Sequence, residues 1–140
     1  MNITHLKNSL HLAHNLVGSP YLINGRDPNG FDCWGLVWYF YKQIGRNPTK
    51  PQPYEVRKTN KGKDRCFSNA FEDNNLIQSE QPEDNCIVSF SRNQYTIHVG
   101  IFLNKNYGCL HATKQGVVCE KIEQIQMRRG LSNKFYLWQE

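Results

Sequence analysis

The chain lacks the apolar runs that would hold it in a membrane. No stretch approaches the roughly 20 residues needed to cross a bilayer, so no helical span is expected. Residues 1–16 are interrupted by His5, Lys7, Asn8, His11 and His14, which leaves no apolar core of a secretory signal. The expectation is a soluble chain made in the cytoplasm without a Sec signal. The five cysteines, Cys33, Cys66, Cys86, Cys109 and Cys119, contain no C-x-x-C pair. An odd set of this kind does not suit a disulfide framework, and reduced thiols are expected. The same lack bears on zinc. A site built from Cys33, His98, His111 and Cys119 would be missing the short ligand spacings of structural zinc sites, so neither metal nor cofactor is expected. No internal repeat or low-complexity block divides the 140 residues, which read as one domain over 1–140.

The formal net charge is +5 with a pI near 9.0, a balance that favours polyanionic neighbours. Yet no helical pattern carries a basic face with interleaved aromatics, so a nucleic-acid partner is not expected. Much of the positive excess falls in residues 57–65, read here as a solvated loop. Hydrophobic residues make up 39% of the chain, enough for one modest core.

Ile3, Leu6, Leu10, Ala13 and Val17 recur at helical spacing, and Gly18, Ser19 and Pro20 end that pattern. After a turn-rich stretch at residues 24–30, Leu36, Val37, Phe40, Tyr41 and Ile44 share one face of a second helix. Asp32 is its expected N-cap and Gly45 its stop. Residues 47–85 are polar and irregular, with Pro48, Pro51 and Pro53 at their start. A short helix over 64–71 is expected within a flap or insertion. Strands are expected at 86–90, 95–103, 109–113, 117–120 and 135–138. In the second of these, Tyr95, Ile97, Val99, Ile101 and Leu103 share one face, while Thr96, His98, Gly100 and Phe102 share the other. Two helices followed by an antiparallel meander make the fold class α+β.

Cys33 stands out on local grounds. It follows a Gly-rich turn at the first position of a helix, where unpaired N–H groups and the helix dipole favour negative charge. That setting is expected to lower a thiol pKa from its free value of about 8.5. Gly35 leaves the first turn open to a substrate or another backbone. A small buried cysteine is the plain alternative. A thiolate nucleophile needs a proton acceptor. His98 occupies a strand face opposite Val99 and Ile101, and His111 follows across a turn. If those strands pair as a hairpin, His111 holds one ring nitrogen of His98 while the other faces the thiol. His5, His11 and His14 have no such partner and read as surface residues.

Residues 31–37, F-D-C-W-G-L-V, resemble the nucleophile motif of the NlpC/P60 peptidases, D-C-[ST]-G-L-V in its common form. G-S-P-Y at 18–21 is similar to the family's G-x-x-Y element, and H-V-G-I-F-L at 98–103 to its histidine strand. L-H-A at 110–112, with Gly116 and Val117 beyond, is similar to the strand of the third residue. The resemblance covers residues 3–118 and implies a papain-like α+β fold. It implies Cys33 as nucleophile, His98 as general base and acid, His111 as the residue orienting it, and Tyr21 beside the oxyanion site. It implies no metal, and cell-wall stem peptides as substrate, commonly cut after γ-D-glutamyl. Trp34 replaces the usual small hydroxyl residue, and the D-C-W-G-L form resembles the branch associated with phage tails. That implies tail proteins as partners and a virion or the cell wall as destination, and no attached wall-binding module is expected. Glu83 stands where the family often has the glycine of a P-G-D turn, which leaves that turn less secure. The alternatives are a structural or assembly tail protein with little hydrolytic activity, or a related thiol amidase or acyltransferase. The oligomeric state and any role of Cys66, Cys86, Cys109 and Cys119 beyond packing stay open.

Overall fold

The structure, a computed structural model, describes residues 3–50, 52 and 57–139, with side chains from residue 8 onward. The expected placements of the Ile3, His5 and Leu6 side chains, and of Pro51 and Pro53, lie outside the described residues. Among the described residues four helices and eight strands run in the order α1 (Ile3–Leu16), β1 (Arg26–Asp27), β2 (Gly30–Phe31), α2 (Cys33–Gln43), α3 (Asn60–Asp73), β3 (Ile77–Ser79), β4 (Cys86–Arg92), β5 (Tyr95–Asn104), β6 (Gly108–Thr113), β7 (Gly116–Glu120), α4 (Ile122–Arg129) and β8 (Ser132–Leu137). The main sheet is antiparallel with strand order β3-β8-β4-β5-β6-β7. The α+β expectation therefore holds. Among the described residues no helix is long and apolar enough to cross a membrane.

Helix α2 is apolar on most of its surface because it is covered on two sides. Leu36, Val37, Phe40 and Tyr41 are buried in the core with Val99, Ile101 and Leu110 of the sheet. Trp34 meets Phe67 and Phe71 of α3, with ring centroids 6.3 and 6.4 Å away. Asp32 caps the helix by accepting from the Gly35 N–H at 2.8 Å, and Gly45, at φ +96°, follows the helix end. Helix α1 buries Ser9, Ala13 and Leu16, whereas Val17, expected on the inner face, is exposed.

Asn85 ties these helices to the sheet. Its side-chain amide donates to the Ser9 hydroxyl at 3.0 Å, and its carbonyl accepts from the Tyr41 hydroxyl at 2.6 Å. Its φ of +65° also resolves the turn in which Glu83 replaces glycine. The left-handed position falls on Asn85, a residue type that tolerates it, so the turn forms without a glycine.

Three expectations are corrected. The helix expected over 64–71 runs over 14 residues, because Thr59 accepts from the Gly62 N–H at 2.9 Å and starts α3 earlier. Residue 57 opens no solvated loop: the Arg57 guanidinium is buried against Asp32 at 2.8 Å. In β5 both faces are buried, and Ile97 joins the cluster of Val88, Phe90 and Ile125 instead of lying with Val99. A ladder shift between Phe90 and Ser91 causes this, and Asp64 of α3 accepts the nearby Thr96 N–H at 2.9 Å.

Candidate active site

Cys33 begins α2, directly after the residue that anchors it. Asp32 accepts from the Asn24 N–H (3.0 Å), the Gly35 N–H and Arg57 (both 2.8 Å), with Arg26 at 3.4 Å. The turn before the helix and the helix itself are thereby locked together. Gly35 admits another backbone, as its lack of a side chain allows: a Cβ there would overlap the Gly25 carbonyl oxygen. The β5–β6 ladder runs over Ile101↔Leu110, Phe102↔Cys109 and Asn104↔Gly108. Short of that ladder, the Val99 N–H is directed at the Cys33 sulfur.

His98 and His111 meet as the hairpin reading expected, with His98 Nε2 2.8 Å from His111 Nδ1. Gly100 makes the room. A Cβ on it would come within 2.6 Å of Cys109 Sγ and 3.0 Å of His111 Cβ. Two further residues, which sequence reasoning missed, extend the chain of contacts. His111 Nε2 lies 2.7 Å from Glu120 Oε1, and Arg128 grips both Glu120 oxygens at 2.7 and 2.8 Å. His111 pairs with Val118 across β6 and β7, so Glu120 is its diagonal neighbour on the same face. Arg128 reaches the carboxylate from the last turn of α4.

The direction of every proton in this chain follows from Glu120. The Arg128 guanidinium holds the carboxyl down at about 2, so Glu120 only accepts and His111 Nε2 carries the hydrogen. Burial keeps His111 below its usual range despite the pull of Glu120, so the ring is neutral. Its Nδ1 must then accept, and His98 Nε2–H donates to it. This leaves the Nδ1 lone pair of His98 as the site's open base. Burial holds His98 well below 6.5, with repulsion from a protonated His111 and the positive charges of Arg129 and Lys63 opposing its protonation further.

The expected low thiol pKa is overturned. Burial pushes Cys33 up to about 11, and the Asp32 carboxylate pushes it further, while the Val99 N–H, Arg57 and Lys63 oppose both. The helix start is present, but desolvation of the thiolate outweighs it. The resting pair is a neutral thiol and a neutral imidazole.

Cys33, His98, His111 and Tyr21 all line one cavity of about 890 Å³. Tyr21 is partly exposed, and its backbone bridges to Phe31 just before the motif. His11 and His14 are exposed on α1, as expected. All five cysteines are free thiols. The zinc combination does not assemble: both nitrogens of His111 are engaged, and Cys119 donates to the Tyr107 carbonyl at 3.2 Å. Among the described residues no group of three or more His, Cys, Asp and Glu is arranged to hold a metal ion.

The class of protein is thus an α+β domain with a cysteine at a helix start and a hydrogen-bonded histidine pair on adjacent strands. The NlpC/P60 family model matches residues 18–133, and the chain belongs to that family. The fold is shared with the NlpC/P60 domain of the peptidoglycan hydrolase SagA, at a TM-score of 0.63 and 21% identity, covering 98% of this chain and all of that one. It is shared with a lipoprotein-like NLP/P60 protein of Staphylococcus aureus subsp. aureus Mu50, at a TM-score of 0.69 and 18% identity. In that case all of this chain covers 43% of the other. The P60 domain of an antigen from M. avium subspecies paratuberculosis has a TM-score of 0.61 and 15% identity, with 94% and 93% of the two chains covered. Protein P54 of Enterococcus faecium is 47% identical over 32 residues, which are 23% of this chain and 6% of that protein.

Proposed function

We propose that the protein is a cysteine peptidase that hydrolyses amide bonds of bacterial cell-wall stem peptides, with Cys33 as nucleophile and His98 as base. The observation that carries this reading is the proton order of the His98–His111–Glu120 chain, which leaves His98 Nδ1 unprotonated in the cavity that holds the Cys33 thiol. With both partners neutral at rest, the thiol proton passes to His98 Nδ1 as the sulfur attacks the amide carbon. The imidazolium that forms is stabilised through His111 by the ionised Glu120. The Cys33 N–H, in the first turn of α2 where N–H groups lack helical partners, faces the developing oxyanion, with Tyr21 beside it. His98 then protonates the leaving amine. Water attacks the thioester, gives its proton back to His98, and the acid is released as the thiol re-forms.

The bond cut is the γ-D-glutamyl amide, in keeping with the family resemblance, and the D-C-W-G-L form of the motif supports delivery to the wall by a phage tail. The peptidoglycan hydrolase among the structural relatives supports the substrate class. One observation favours a second reading. A thiol raised to about 11 suits a tail protein that keeps the fold with little hydrolysis. Purified muropeptides incubated with the wild type and with Cys33→Ala, read by mass spectrometry, decide between them. Stem-peptide fragments from the wild type alone are expected. Intact muropeptides in both samples, with the protein folded and Cys33 reduced, would leave the tail role or a different amide or ester substrate.

A further inference from the structure

The cavity around Cys33 is unequally charged. Its lining carries Arg57, Lys63, Lys114, Arg128 and Arg129 against the carboxylates of Asp32 and Glu120. Both carboxylates are already taken, Asp32 by Arg57 at 2.8 Å and Glu120 by Arg128 at 2.7 Å. Lys63, Lys114 and Arg129 have no carboxylate partner among the described residues. Lys114 is exposed, whereas Lys63 and Arg129 are both half-buried.

Helix stability does not account for this pair. Arg129 does suit the C-terminal turn of α4. Lys63, however, sits by the start of α3, in a helix whose first turn carries no acidic residue and where the dipole disfavours a cation. Both charges are felt at His98, which brings them to the reacting centre from two different helices. A half-buried guanidinium beside two further arginines, opposed by a Glu120 carboxylate already paired to Arg128, is costly, and a carboxylate is the ligand its planar fork fits best.

We propose that Lys63 and Arg129 form a carboxylate subsite that selects acyl donors with a free carboxylate close to the scissile amide over the matching carboxamides. This rests on the peptidase reading and narrows its substrate class. A glutamyl residue linked through its γ carbon leaves its α-carboxylate free a few bonds from the carbon that Cys33 attacks. Amidation of that carboxylate removes the charge with almost no change of shape.

Binding is measured on Cys33→Ala protein by calorimetry, at fixed salt, with two synthetic γ-glutamyl peptides that differ only in carrying an α-carboxylate or an α-carboxamide. The carboxylate peptide is expected to bind about tenfold more tightly. Lys63→Gln or Arg129→Gln in the same background should shrink that ratio, with the larger loss on the carboxylate peptide, and Arg129→Lys should retain part of it. Equal binding of the two peptides, binding of neither, or a preference that survives both Gln substitutions overturns the subsite. Wild-type turnover separates the two proposals. Preferential binding with no cleavage of either peptide sinks the peptidase reading and leaves the subsite standing. Cleavage of both at equal kcat/KM sinks the subsite and leaves the peptidase reading standing.

Discussion

The walls of the cavity differ in how their charges are matched. On the strand side, His98, His111, Glu120 and Arg128 form an unbroken series whose neighbouring groups lie 2.7 to 2.8 Å apart, with His98 Nδ1 left open to the cavity. On the helix side, α3 and the end of α4 contribute Lys63 and Arg129, neither of them ion-paired to a carboxylate among the described residues. A saturated network fixes proton positions and resists rearrangement, because any change leaves a buried group unpaired. An unsaturated one holds affinity for something that arrives from outside. Substitutions on the strand side should therefore damage kcat, and substitutions on the helix side should act first on KM and on substrate choice.

The largest effect is expected at the reacting atoms. Cys33→Ala should lower kcat by about 10⁴-fold or more, and His98→Ala by about 10² to 10⁴-fold, in a muropeptide release assay. Next comes Glu120→Gln, which tests the charge behind the histidine pair. Oε1 accepts from both His111 and Arg128, so the amide oxygen keeps that place and the new NH₂ falls against the remaining Arg128 donor. The histidines keep their hydrogens, but the negative charge that stabilises the His98 imidazolium through His111 is gone. A kcat loss of about 10²-fold with KM little changed is expected, together with altered imidazole ¹⁵N shifts. An unchanged kcat would show the strand side to be scaffolding only.

The pH profile links the two sides. His98 is held well below 6.5 by burial and by nearby cations, so protonation should remove the base only on the acid side of 6.5. The acid limb of kcat/KM should lie there, with activity flat through neutral pH. Lys63→Gln or Arg129→Gln withdraws a positive charge that opposes protonation, so the limb should move to higher pH. A limb that stays put would separate the helix-side cations from the centre altogether. The smallest effect should come from Gly100→Ala. The added methyl meets Cys109 Sγ and His111 Cβ, which should cost about 1–3 kcal/mol of stability in a urea titration.

The same contrast explains what could be read in the amino-acid sequence. Cys33, His98 and His111 were legible because a helix start and an alternating strand are local patterns, and the register that joins the histidines needs only one hairpin. Glu120 was not, since its role depends on a diagonal contact across a second hairpin. Arg128 lies in a helix of eight residues with only Ile122 and Ile125 buried, too few to set a period. Helix α3 buries only Phe67 and Phe71, so its polar first half read as loop. Arg57 looked solvated because its partner, Asp32, lies far away in the chain. The thiol pKa was misjudged for a related reason: a helix start is visible in sequence, whereas the burial of the sulfur is a property of the packed fold.

The central claim, that Cys33 carries the acyl group while His98 manages its proton, is tested most directly by trapping the intermediate. Muropeptide mixed with wild-type protein and quenched in acid within the first turnover should yield a peptide containing Cys33 with the added mass of an acyl fragment. The adduct should be absent from Cys33→Ala and should build up far more slowly in His98→Ala. Stem-peptide cleavage by the wild type without any adduct at Cys33, or cleavage that persists in Cys33→Ala, would contradict the account.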